Sequence, residues 1–281
     1  MSINGSLAGY RRSDKSKAQR PDKNASAAPR RAATRHAIRV RALARIILAT
    51  MAVNARCVGA PGLNNTYEAN MSEYPEDIYT EPADQDGDTL RNLGPLAGMA
   101  GIWEGTRGLD VKPKADGPRK QAYVERMELQ PLDPQTNGPQ LFYCLRYHTF
   151  IVKPGQTKLY HDQVGYWQWE PATGTIIQSL AIPRGQTAMA VGKAEGDAKT
   201  FELVATRGLE TYGICSNPFL EYAFKTVEYR IKVTINPDGT WSYDEDTVLM
   251  IRGQPEPFHH TDRNTLTKIA DPTPNPLARK Q

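Results

Sequence analysis

The chain has 281 residues, and its formal charge of +4 conceals two unlike parts: residues 1–70 carry 13 Lys+Arg against 3 Asp+Glu, and residues 71–281 carry 22 against 28. The basic pI of about 8.8 therefore says nothing in favour of nucleic-acid binding by the acidic body. Three cysteines, Cys57, Cys144 and Cys215, lack CxxC or metal-like spacing, which argues against a disulfide framework and a zinc site, and no apolar run approaches the ~18 residues of a membrane helix.

The first seventy residues are rich in Arg, Ala and Ser and poor in acids. The stretch RRAATRHAIRVRALARIILATMAVNARC reads as an amphipathic presequence, as an arm outside the working protein, or as a secretory signal; Arg39, Arg41 and Arg45 interrupt the apolar core of the last. At Met71 the composition turns acidic (MSEYPEDIYTEPADQDGD), so Met71 is an alternative start and residues 1–90 are expected to be a disordered segment, basic and then acidic.

From residue 91 to 270 the chain reads as one domain of short β-runs. GMAGIWEGTRGLD opens it, with Trp103 flanked by Gly101 and Gly105; such glycines mark a bend or a close backbone approach. RKQAYVERMEL, LFYCLRYHTFIV, TKLYHDQVGYWQWE, TIIQSLAI, TAMAVGKA and KTFELVATRG follow, separated by Pro-Gly, Thr-Gly and Arg-Gly turns. SNPFLEYAF is the one helical pattern, capped by Ser216 or Asn217 with Pro218 in its first turn. VEYRIKVTI alternates most cleanly, and Asn-Pro-Asp-Gly turns it into TWSYDEDTVLMIRG; FHHTDRNTLTKIA is the last strand before a Pro-rich tail, 271–281, expected to be disordered.

Ten half-apolar strands cannot lie in one open sheet without baring a large apolar face. The fold class expected is all-β: a closed or nearly closed antiparallel barrel of about ten strands, of the calycin or fatty-acid-binding-protein kind. Ten strands exceed the eight whose interior side chains just fill, so a ligand cavity follows, with Trp103 plugging one end. His148 reads as a satisfied core or rim histidine, and Trp167 and Trp169 as barrel packing. The acids of YDEDT (Asp244, Glu245, Asp246) read as a solvated edge. Arg207 and Arg252 are candidates for capping an anionic ligand group. No nucleophile elbow, phosphate loop or His-Glu-x-x-His is present.

Three stretches together resemble the nitrobindin family of heme-binding β-barrels. The family's Gly-x-Trp-x-Gly-x-Gly matches at Gly101, Trp103 and Gly105, with Arg107 at the final glycine and Gly108 one step later. Its His-x-Glu-x-Gly resembles His161-Asp-Gln-Val-Gly165, with Gln163 for the acid. Its C-terminal histidine before Thr-Leu resembles His259-His260-Thr-Asp-Arg-Asn-Thr265-Leu266. Counting back from Thr-Leu puts the ligand position at Thr261, so a one-residue shift is needed for His260 to ligate iron, with His259 the alternative. The residues alone favour a strand-surface place for His161.

The resemblance implies heme b as cofactor, with Trp103, Gly101, Gly105, His161 and Gly165 as cofactor-binding positions. It also implies nitric oxide binding and peroxynitrite isomerisation to nitrate; the expected location is cytoplasmic, and the acidic body and the lack of a long apolar run lead to no expected nucleic-acid or membrane partner. Arg107 and Gln163 favour an alternative, a heme-less barrel that carries another small apolar or amphipathic ligand. A barrel with a filled interior is a third reading.

Overall fold

Strand after strand buries every second side chain: in Arg119–Pro131, Tyr123, Glu125, Met127, Leu129 and Pro131 point inward. This period of two builds twelve strands. They are β1 (Gly101–Lys112), β2 (Arg119–Pro131), β3 (Gln135–Asn137), β4 (Gln140–Val152), β5 (Leu159–Glu170), β6 (Thr175–Ile182), β7 (Gln186–Lys193), β8 (Thr200–Thr206), β9 (Ile214–Ser216), β10 (Phe224–Ile235), β11 (Trp241–Ile251) and β12 (Phe258–Ala270). The computed structural model describes residues 74–275.

Ten of the strands pair antiparallel in the order β2-β1-β12-β11-β10-β8-β7-β6-β5-β4, and β4 pairs back onto β2. The ring is closed, as the strand count demanded. β3 and β9 are short ribbons on β4 and β7.

One end of the barrel is solid. All four tryptophans, Trp103, Trp167, Trp169 and Trp241, sit there buried. The short helix α1 (Thr89–Asn92) and a 3-10 turn (Gly94–Met99) lay Leu93, Leu96 and Met99 across the opening, each fully buried. Burying each such side chain contributes roughly 1.5–3 kcal/mol. The Trp103 indole N–H donates to the Met99 carbonyl at 2.7 Å, joining strand and cap. The other end carries helix α2 (Pro218–Ala223), capped by Asn217, whose side chain accepts from Phe219 N and Leu220 N at 2.9 and 3.1 Å.

β1 bends as its glycines foretold, but the bend has a register. Pairing with β2 shifts by one residue between Gly105 and Gly108, a bulge that turns both Thr106 and Arg107 to solvent. Arg107 therefore sits outside the barrel, and Gly108 makes the close approach: a β-carbon there would stand 2.1 Å from the Tyr123 ring. Gly108→Ala is expected to push Tyr123 out of place and destabilise by roughly 1–3 kcal/mol, the range for overpacking. Urea unfolding measures it.

Residues 74–90 and 271–275, expected as parts of disordered segments, lie along the barrel. The Ile78 carbonyl packs on Gly138, Thr89 Oγ1 donates to the Leu132 carbonyl at 2.5 Å, and Thr273 N donates to Gln130 Oε1 at 2.6 Å. The basic stretch, Met71 and residues 276–281 lie outside the described residues. Among the described residues no helix is long and apolar enough to cross a membrane.

Candidate functional site

Opposite the tryptophan end the barrel is hollow. A cavity of about 370 Å³ opens there, walled by Ile151, Leu180, Ile182, Leu249 and by Leu220 and Phe224 from the α2 end. Into it project Asp110, Lys112, Tyr160, His161, Arg184 and His260. A larger groove, about 1190 Å³, runs over the outer faces of β4–β7. Its lining is mostly outward strand side chains, whereas titratable groups converge in the smaller, apolar-walled cavity, which is the candidate site.

Strand register settles the two adjacent histidines. On β12, His260, Asp262, Asn264 and Leu266 share the inner face, and His260 lies opposite Thr247. His259 turns outward, its ring exposed and bonded to Asp246 Oδ2 at 2.7 Å. Thr261, where motif counting put the ligand, pairs with Asp246 and Val111 and points away from the cavity. The inward imidazole is His260.

His260 Nε2 bonds Asp110 Oδ1 at 2.8 Å. Asp110 also accepts from the Tyr160 hydroxyl and has Lys112 Nζ at 3.6 Å. Burial would raise this carboxyl, but the His260 and Tyr160 hydrogen bonds and the nearby charges hold it below its ordinary value.

Across the cavity, His161 faces inward from β5, not onto the strand surface as its neighbours suggested. Its Nδ1 lies 3.3 Å from Arg184 Nη1 and its Nε2 3.3 Å from Gln163 Oε1. Arginine can only donate, so Nδ1 accepts and the proton sits on Nε2. Burial and the Arg184 charge push its pKa down to about 4, so this imidazole is neutral at physiological pH.

Beneath the histidines runs a chain of buried acids and tyrosines. Tyr123 OH contacts Asp262 Oδ1 and lies 2.8 Å from Tyr243 OH, which lies 2.9 Å from Glu125 Oε2; Asn264 Nδ2 donates to the same oxygen at 2.9 Å. The three oxygen–oxygen contacts need three protons, and the two phenols supply two. The third belongs to Glu125 or Asp262, so one end of the chain is a neutral acid. Burial, with the Glu245 charge, pushes Asp262 up to about 9, and burial pushes Glu125 up to about 7.

Glu245, expected at a solvated edge with Asp244 and Asp246, instead turns inward, half-buried, and accepts from Tyr229 OH at 3.1 Å; burial pushes it up to about 7. Alternation along β11 sends its two neighbours out. The unfolded chain releases the Glu245 proton near 4.5, so stability from this group falls as pH rises from about 4.5 through about 7. His161 acts oppositely, losing stability as pH falls from 6.5 towards 4. Glu125 and Asp262, raised likewise, decline over the same side, so the expected result is that Glu245→Gln makes the neutral-side decline in urea-unfolding free energy shallower without abolishing it and leaves the acid-side one.

The other motif positions serve the scaffold. Trp103, Gly101 and Gly105 lie at or near the solid end; a β-carbon on Gly105 would strike the Asn264 amide, and Gly101 holds φ +138° against the Ala270 carbonyl. Gly165 lies against the Ser179 carbonyl and the Tyr147 ring. None of these four lines the cavity. Neither do Arg207, which pairs with Glu221 at 2.6 Å, nor Arg252, stacked on Tyr222. His148 lies on the outer face of β4, bonded to Asp162 at 3.0 Å and stacked on Phe150.

The cations lining the mouth are Lys112, Lys114 and Arg184, which sequence reading missed. The signal for Lys112 was its two-residue spacing from Asp110; Arg184 sits in the Pro-Arg-Gly turn, where nothing local tells its direction.

Among the described residues no group of three or more His, Cys, Asp or Glu is arranged to hold a bare metal ion. One imidazole with a carboxylate on one ring nitrogen, apolar walls, a second imidazole opposite and three cations at the mouth do fit an iron carried in a macrocycle. The carboxylate is the partner that orients a ligating histidine.

No curated protein sequence matches the chain significantly. A structural comparison finds "Crystal Structure of Rv2717c from M. tuberculosis", 24% identical, covering 66% of this chain and 99% of that one with a TM-score of 0.46. The family model of the THAP4-like, heme-binding beta-barrel domain matches residues 92–268, from the capping turn to the end of β12. With that match spanning the closed barrel and both cavity histidines, this chain belongs to the THAP4-like heme-binding β-barrel family, the nitrobindin type.

Proposed function

We propose that the cavity binds heme b, with His260 as the protein ligand to its iron. The observation that carries this reading is the inward His260 imidazole, held by Asp110, over an apolar cavity in a family of heme-binding barrels. Bound heme would supply the chemistry that the family resemblance implies, nitric oxide binding and isomerisation of peroxynitrite to nitrate.

The chain's own residues have separable tasks. Asp110 orients the His260 ring and keeps it electron-rich. Lys112 and Arg184 offer positive charge to propionate carboxylates or to an incoming anion. Neutral His161, with its proton on Nε2, offers a fixed hydrogen-bonding pattern on the opposite wall. Leu220 and Phe224 keep water from the apolar side of the mouth. Cys144 and Cys215 are free thiols, which suits a reducing cytoplasm.

Titration of the unloaded chain with hemin tests this reading: a sharp, saturable Soret band at one heme per chain supports it, and a spectrum unchanged from free hemin overturns it. Asp110→Asn is expected to weaken hemin binding roughly 10–100-fold, the usual cost of removing a ligand's carboxylate partner.

The cluster of mouth cations favours one second reading. An apolar chain in the cavity with its carboxylate on Lys112 and Arg184 would use the same walls and leave the His260–Asp110 bond intact. Native mass spectrometry of the purified chain separates the two by adduct mass.

A further inference from the structure

Below the ligand cavity lies a second, smaller space of about 50 Å³. The two share Ile151, His161, Gln163, Glu245 and Asp262 as walls. Four polar atoms on its lining residues have no hydrogen-bond partner among the described residues: Glu125 Oε1, Thr149 Oγ1, Trp167 Nε1 and Trp241 Nε1. Each belongs to a side chain at most 4% exposed. They come from β2, β4, β5 and β11, so no single local accident strands them.

Proteins rarely leave one buried polar atom unpaired, and four around one space call for a common partner. The space and the chemistry agree on what it is. A water molecule takes up about 30 Å³ and makes about three hydrogen bonds, so the volume holds one or two. Two indole N–H groups donate, a carboxyl oxygen accepts and a hydroxyl does either, which is the complement of water. An apolar occupant would leave all four unpaired.

We propose that this pocket is a built hydration site, in which one or two water molecules bridge Glu125, Thr149, Trp167 and Trp241 and join the acid–tyrosine chain to the floor of the ligand cavity. Glu125 has its Oε2 on Tyr243 and Asn264. The water engages Oε1, and Gln163 and His161 line the same space above it. Around the same space stand Tyr147 from β4, Tyr243 and Glu245 from β11, and Asp262 from β12, with Glu245 and Asp262 near enough for their charges to act on Glu125. Its carboxyl oxygen is closed off from bulk solvent. The water links it to the wall shared with the ligand cavity.

The inference does not depend on heme, because its test uses the unloaded full-length chain. An atomic-resolution crystal structure is expected to show one or two waters within hydrogen-bonding distance of at least three of the four atoms. In solution, oxygen-17 relaxation dispersion counts long-lived internal waters. The nearly isosteric Thr149→Val is expected to lower that count by at least one, and Trp241→Phe serves as an independent second variant. Absence of water density in the wild-type pocket overturns the proposal. So does uptake of pressurised xenon there, the behaviour of a dry apolar cavity, or an unchanged water count in a folded variant. Should both variants fail to fold, wild-type density alone decides.

Discussion

Truncating Trp103 to alanine is expected to destabilise the barrel by roughly 3–5 kcal/mol, the range for removing a buried tryptophan. The side chain is fully buried, donates to the Met99 carbonyl at 2.7 Å and meets the Trp241 ring edge-on at 6.2 Å. Alanine leaves a cavity and orphans that carbonyl. It also detaches the capping turn that carries Leu96 and Met99. The aromatic contact adds about 0.5–1.5 kcal/mol beyond burial. Urea unfolding should show a lower midpoint with little change in slope, since the surface exposed on unfolding is nearly the same. Trp103→Phe, which keeps a ring but loses the N–H, should fall between. A loss under about 1 kcal/mol would mean that the solid end has slack its packing does not suggest. Because the two ends are separate, a folded Trp103 variant should still take up hemin.

Removing the inward imidazole should do the reverse: little to stability and nearly everything to ligation. His260→Ala is expected to lose hemin affinity by more than the roughly 10–100-fold assigned to losing an orienting partner, because the bond to iron itself goes. The sharp Soret band should collapse towards that of free hemin, and added imidazole should restore part of it. His259→Ala is the matched control. That ring points to solvent, bonded to Asp246, and its removal should leave the titration unchanged. If the two variants behaved alike, His260 would not be the ligand and the carboxylate reading of the cavity would take over. Far-ultraviolet circular dichroism of each variant separates misfolding from lost ligation.

Much of this was legible in the residues alone. Alternation in VEYRIKVTI and RKQAYVERMEL, with Pro-Gly and Asp-Gly turns between runs, determined the strands, because a period of two has one structural meaning. Ten one-sided strands then required closure. The tryptophan between glycines announced a bend and a plug, and β1 has both. The histidine-bearing last strand pointed to a segment that lines the cavity.

What the residues could not decide was direction. The bulge at Thr106–Arg107 moved the motif's last glycine to Gly108, since an extra residue in one strand is invisible without its partner. Which of His259, His260 and Thr261 faces inward depends on pairing with β11 and β1, and a slip of one would exchange inside for outside. His161 and Glu245 lie among polar neighbours and read as surface, because only the closed ring shows that their side of the strand faces the interior. Asp110 and His260 are 150 residues apart, as hydrogen-bonding partners made by closure and not by spacing. Local periodicity thus determined that there is a barrel; the long-range pairing of strands decided which side chains meet inside it.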